Sequence, residues 1–237
     1  MNTFFYRSFI SILILTLSGM SNGVVGNDSA DKTQNRITKI LILTDYEYGY
    51  GGAVYPTPNP YLFFDNGTVV KNPVLPPHLL NLGARAIQEG KWGRYIVAGE
   101  KVEITWDQKT KKGKIQTTTH DWNGSPALPA SVDETLDGTF LSIGGGGNIS
   151  LGGSSGVYKS DLISLTRDGR FAYSSSKGGS GSGITAFNNS DTAGTYELDG
   201  FNIRLKFNNG KITDQFFCFY SPEKRVMRVG TSSFSKR

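Results

Sequence analysis

Cysteine is almost missing from this chain: Cys218 is the one thiol in 237 residues. A protein with a single thiol makes no internal disulfide, so packing has to carry its stability. A chain of this length buries a core large enough for that. The setting of the thiol, Phe216-Phe217-Cys218-Phe219-Tyr220, points to a buried small hydrophobe, since apolar neighbours raise a thiol pKa and quench its reactivity.

Histidine is nearly as scarce. His78 and His120 are the two copies, and neither they nor Cys218 stand at metal-ligand spacing. A zinc site takes three or four ligands, usually in close pairs, so no metal site and no cofactor are expected. Asp45 and Glu47 lie two apart on a strand, but the spacing of a calcium loop does not follow. Blocks of one charge are also lacking. The densest cluster, Lys109, Lys111, Lys112 and Lys114, surrounds a turn at Gly113 and reads as a solvated face. Phosphate tracking needs a basic stripe, so no nucleic-acid partner is expected.

Long hydrophobic runs are confined to the N-terminus. Arg7 precedes the apolar run Phe9–Leu17, and small residues follow from Ser18 to Gly26. The run is far shorter than the roughly 20 residues that span a bilayer but suits the centre of a signal peptide. Residues 1–26 therefore read as a signal peptide, and the protein as exported, periplasmic or extracellular, with no transmembrane segment once the signal is removed. Its loss leaves 24 Lys+Arg against 20 Asp+Glu, a net charge of +4. Residues 27–36 read as a flexible segment.

What the chain has in quantity is glycine and alternation. Asn-Gly or Asp-Gly set between runs of alternating apolar and polar residues marks tight hairpins between half-buried strands. Strands are expected near 38–46, 61–65, 68–72, 93–98, 101–107, 113–120 and 138–143. A second set is expected near 149–152, 161–167, 170–175, 194–198, 201–207, 211–220 and 225–235.

The two sets repeat one another. Tyr61-Leu62-Phe63-Phe64-Asp65-Asn66-Gly67 lies over Ile163-Ser164-Leu165-Thr166-Arg167-Asp168-Gly169 at an offset of 102. Trp92-Gly93-Arg94-Tyr95 lies over Ala193-Gly194-Thr195-Tyr196 at 101, and Trp106 over Phe207 keeps that offset. Farther on, Gly113 over Gly210 and Gly138 over Gly230 give shrinking offsets. The expectation is an all-β antiparallel meander of two tandem repeats, 37–143 and 144–237, within one structural domain. Barrel closure hides the edges of such a meander, as one barrel shared by both repeats or as two packed sheets. The inserts between matched glycines differ. Pro76 to Glu89 has helical spacing and predicts a short helix serving as a lid, whereas Ser174 to Asp191 is rich in Gly, Ser and Asn and reads as a flexible flap.

These segments, with Ala193 through Gly210 and the ending Arg228-Val229-Gly230-Thr231-Ser232, resemble exported bacterial proteins with lipocalin-like β-meanders. The resemblance implies a lipocalin-like barrel over roughly residues 37–236. A G-x-W opening on the first strand is not evident, so no ligand residues carry over.

No catalytic apparatus is assembled in the sequence. Gly152-Gly153-Ser154-Ser155-Gly156 matches a nucleophile elbow only formally, with no helix after the serine. His120-Asp121-Trp122 is the one compact polar group. Aromatics are the better binding clue. Tyr46, Tyr48 and Tyr50 alternate with Asp45 and Glu47, and Trp92, Trp106 and Trp122 all fall in the first repeat. Such rings stack on sugars or line an apolar cavity, and equally they build a core. The favoured reading is a non-catalytic exported barrel that binds a small apolar or amphipathic ligand, with these six aromatics as its wall. The alternatives are a cell-envelope module that binds a glycan or a protein through the row Tyr46, Tyr48 and Tyr50, and a hydrolase acting through His120 or a carboxylate pair.

Overall fold

A computed structural model describes residues 36–48, 54–82, 85–86, 89–110, 112–147, 156–181 and 184–237. The expected signal peptide, the segment that follows it as far as residue 35, the strand expected at 149–152, Tyr50 and Ser154 lie outside the described residues, as does the side chain of Tyr48. Among the described residues no helix is long and apolar enough to cross a membrane.

The chain is all-β, and its strands are antiparallel throughout. The first group is β1 (Ile37–Tyr48), β2 (Val54–Phe64), β3 (Thr68–Lys71), β4 (Lys91–Ala98), β5 (Lys101–Trp106), β6 (Thr117–Asp121) and β7 (Ser125–Pro126). The strands β1 to β6 pair each with the next, and β7 returns to the free side of β1, giving the order β6-β5-β4-β3-β2-β1-β7. The sheet curls until His120 on β6 reaches the backbone of Thr44 on β1. Lys39 on β1 also donates to the carbonyl of Trp122, at 2.8 Å.

The second group is β8 (Gly138–Gly147), β9 (Gly156–Leu165), β10 (Arg170–Gly181), β11 (Ile184–Asp199), β12 (Asn202–Phe207), β13 (Ile212–Phe219), β14 (Val226–Val229) and β15 (Ser232–Lys236). These strands run up and down in order, and β15 pairs back onto β8 through Ser235↔Leu141 and Lys236↔Phe140, closing an eight-stranded barrel. The single strand expected at 225–235 is thus two, β14 and β15, turning at Gly230.

The repeat seen in the sequence occupies equivalent ladder positions. Val69 faces Gly93 as Phe171 faces Gly194, and Gly93 faces Trp106 as Gly194 faces Phe207. Gly67 and Gly169 turn the matching hairpins at φ +76° and +79°, a conformation L side chains seldom adopt. The Tyr95 amide donates to Gly67 at 2.9 Å as Tyr196 donates to Gly169 at 2.8 Å. The Tyr95 hydroxyl donates to the carbonyl of Phe64 as that of Tyr196 donates to Thr166. A Cβ on Gly93 would stand 2.7 Å from the Thr105 carbonyl oxygen, and one on Gly194 only 1.9 Å from that of Lys206. Glycine is needed where these strands cross most closely. The correspondence stops before the last sequence match, because Gly138 opens β8 while Gly230 lies between β14 and β15. The strand placed at the end of the first repeat belongs to the barrel, so the change of sheet falls between Pro126 and Gly138.

Two expectations about the inserts change. Within 76–89 the described residues hold a 3-10 turn at Pro77–Leu79, after which Leu80 is extended, and a further 3-10 residue at Glu89, whose amide donates to the Ala86 carbonyl at 3.0 Å. Residues 83–84 and 87–88 lie outside the described residues. Leu80 and Leu82 pack into the junction between sheet and barrel, and the Phe216 amide donates to the Val74 carbonyl at 2.9 Å. Tertiary burial and backbone pairing therefore override the helical spacing. The Ser174–Asp191 segment is not a loop. Ser174 faces Asp191 and the pairing continues to Gly181 facing Ile184, so it forms the outer halves of β10 and β11.

Apolar burial divides three ways. Leu41, Leu43, Tyr61, Phe63, Val102, Ile104 and Trp106 fill the concave side of the curled sheet. A second cluster lies inside the barrel. A third, with Leu62, Phe64, Val70 and Trp92 from the sheet against Phe216 and Cys218 on the outside of β13, joins the two. Full burial of such side chains is worth about 1.5–3 kcal/mol each.

Candidate ligand-binding site at the barrel mouth

An eight-stranded barrel is just wide enough for its own side chains to fill. At one end of this barrel they do. The connection from β7 to β8 crosses that end, with Leu128 paired to Phe219 and Ala130 to Gly200. The Leu136 amide donates to the buried Tyr196 hydroxyl at 2.8 Å, and Leu136 and Ala130 pack among Leu198, Phe217, Phe219 and Met227.

The opposite end is not filled. Inward positions there carry small polar residues, Ser190 and Thr192 on β11 and Thr231 and Ser232 at the β14–β15 turn, where the closed end has large apolar ones. They leave a cavity of about 270 Å³. Its floor is Ile163, Phe171, Leu205, Phe207, Val229 and Phe234. Lys159, Tyr173 and Gln215 add polar groups around the rim. An apolar floor beneath a few polar groups is the usual make-up of a small-molecule site, and the volume falls just below the range of about 300–1,000 Å³ that such sites span.

The period-two alternation of strands places these groups. On β9, residues 159, 161, 163 and 165 face inward, and on β10 residues 171, 173 and 175 do so, so Asp161 lies opposite Ser175 between rim and floor. Asp161 is 1% exposed. It forms an ion pair with Lys159 and accepts a hydrogen bond from the Ser175 hydroxyl at 2.6 Å. Burial opposes its ionisation, yet hydrogen bonds from Lys159, Ser175 and Tyr173 hold its carboxyl below the usual carboxylate range. The Tyr173 phenol is pushed up to about 12 by burial and by the Asp161 carboxylate, so it stays a donor at neutral pH.

Among the described residues, Trp92, Trp106, Trp122 and Tyr46 are not gathered into one wall. Trp92 is buried on the convex side of the curled sheet, stacked on Phe64 at 6.4 Å, within the junction to the barrel. Trp106 is buried on the concave side, 6.1 Å from Tyr61, and Trp122 packs there between Phe63 and Tyr95 with Lys39 over its ring. Tyr46 is 67% exposed at the far end of β1.

A second polar group sits on that concave side. Asp45 accepts from Asn59 at 2.7 Å and from the Tyr61 hydroxyl at 2.8 Å, and pairs with Lys71 at 2.9 Å. The His120 ring lies 5.3 Å from that of Tyr61, and its Nε2 is 3.3 Å from Thr118 Oγ1. Its charged neighbours are thus Asp45 and Lys71 across the sheet, which no local triplet reveals. Cys218 is buried in the junction, its thiol pushed up to about 12 by burial.

Sequence reasoning missed the barrel-mouth residues because the glycine and serine of β10 and β11 masked the strand pattern. The available signal was the every-other-residue series Phe171, Tyr173, Ser175, Lys177. No protein-family model, no curated protein and no solved structure matches the chain.

Proposed function

We propose that this protein is an exported, non-catalytic barrel that takes a small amphipathic ligand into the mouth of its second half. The cavity over Phe171, Leu205 and Phe207 carries this reading, since the interior of an eight-stranded barrel has room either for its own side chains or for one small ligand. Its volume corresponds to about nine water-sized groups at about 30 Å³ each, which suits a chain of eight or so carbons with one polar end. The N-terminal signal-like segment supports export. A hydrolase built on His120 has less support, because the oxygens of Asp45 are already occupied by Asn59, Tyr61 and Lys71.

The test is calorimetric titration with 1-octanol. We expect one molecule bound per chain, and at least a tenfold loss in Thr192→Phe, whose ring would fill the cavity while leaving thermal stability intact. Wild-type protein that binds no octanol, or a Thr192→Phe variant that binds it equally well, would overturn the reading.

A further inference from the structure

Four strands of the barrel outrun the rest. The β15 strand pairs with β8 only at Phe140 and Leu141, and β12 pairs with β11 only from Gly194 onward. Beyond those points β8, β9, β10 and β11 continue as a four-stranded wall standing over the mouth. Its inner face forms an open groove of about 610 Å³ that shares Lys159 with the cavity below.

The charges on that face are unbalanced. Lys159 and Lys177 lie directly opposite one another on β9 and β10, and both line the groove. Like charges facing across a ladder are destabilising. Next to them stand Asn188, paired with Lys177, and Gly144, paired with Lys159, which leaves room beside the lysine stem. The acid on this face is Asp161, one step deeper, and it is already engaged by Lys159 and Ser175. Lys177 has no ion-pair partner among the described residues. Two ammonium groups against one carboxylate leave one positive charge uncompensated, immediately above an apolar cavity.

From this juxtaposition we infer that the barrel mouth selects amphipathic monoanions, with the hydrocarbon tail on Phe171, Leu205 and Phe207 and the anionic head between Lys159, Lys177 and Asn188. The inference rests on the reading of the cavity as a ligand site and adds the charge of the ligand. A bound monoanion neutralises the opposed lysines, and hydrogen bonds to charged groups are the stronger kind. Because the lysines are partly solvated, the preference weakens as salt rises.

The experiment compares octanoate, 1-octanol and octyltrimethylammonium by calorimetry on the full chain at low and high salt. Octanoate should bind about tenfold more tightly than octanol at low salt, and the cation more weakly than either. Lys177→Gln should remove most of the preference for octanoate over octanol. Lys177→Glu should reverse the order of octanoate and the cation. Lys177 is the informative position, since Lys159→Gln would strand Asp161 in the barrel and disturb folding. Equal binding of octanoate and octanol would sink the charge selection while leaving the cavity reading in place. A preference that survives Lys177→Glu would sink it as well. Failure of every probe to bind would overturn both.

Discussion

Two aspartates in this protein, Asp45 and Asp161, do similar work at different depths of the fold. Each is held ionised against burial by a lysine and by neutral donors: Asn59 and Tyr61 for Asp45, Ser175 and Tyr173 for Asp161. Each carboxyl therefore lies below its usual 3.8, so the stabilisation is complete above that value and is lost as pH falls through the folded-state pKa. His120 also lies below its usual value. Burial is the main cause, joined by repulsion from Lys71 and opposed by Asp45 and the Thr44 backbone. The folded state binds the imidazole proton less readily than the unfolded chain, so stability declines as pH falls below about 6.5. Urea titrations from pH 8 to pH 3 should show two stages of loss. His120→Gln should flatten the stage between pH 7 and 5 and leave the loss below pH 4. A His120→Gln profile that superimposes on wild type would show that the imidazole does not titrate differently on folding.

At the scale of the strand, glycine does opposite things to legibility. Gly93 and Gly194 were recognisable as a matched pair, but the reason for the match is a backbone crossing invisible in the sequence. Alanine at either position should destabilise by overpacking, by about 1–3 kcal/mol in a urea midpoint, with Gly194 the more sensitive because its Cβ would meet the Lys206 carbonyl more closely. Equal midpoints for both variants and wild type would mean that the ladder relaxes freely there. The glycines of β8 and β10 misled instead, since a run rich in Gly and Ser lacks the apolar alternation by which strands are recognised. What makes strands of β10 and β11 is continuous pairing along their lengths, a nonlocal property. The helix expected at 76–89 failed for a related reason: its leucines are claimed by the junction, and local spacing does not record which surface will claim them.

At the scale of the molecule, the strand-and-turn grammar made the all-β class and the doubled unit readable, while the division into a curled sheet and a closed barrel was not. That division depends on β14 and β15, which the second repeat adds and the first lacks, and on β7, two residues long, which pairs with β1. The two halves meet through Phe216 and Cys218, which point outward from the barrel and are fully buried by Leu62, Phe64 and Trp92 of the sheet. This burial makes Cys218 a reporter of the junction. With its thiol pushed up to about 12 and no solvent access, it should resist iodoacetamide in the native state for as long as the junction stays closed. If sheet and barrel unfold together, labelling should begin at the same urea concentration at which tryptophan fluorescence changes, because Trp92 lies in the same cluster. Phe216→Ala should weaken the junction by about 3–5 kcal/mol and admit the reagent at lower urea. Far-UV dichroism of the barrel strands should then lag behind the labelling, separating opening of the junction from loss of the barrel. Rapid labelling of the wild-type protein without urea would show instead that the junction opens readily and that the two halves are held mainly by the chain between Pro126 and Gly138.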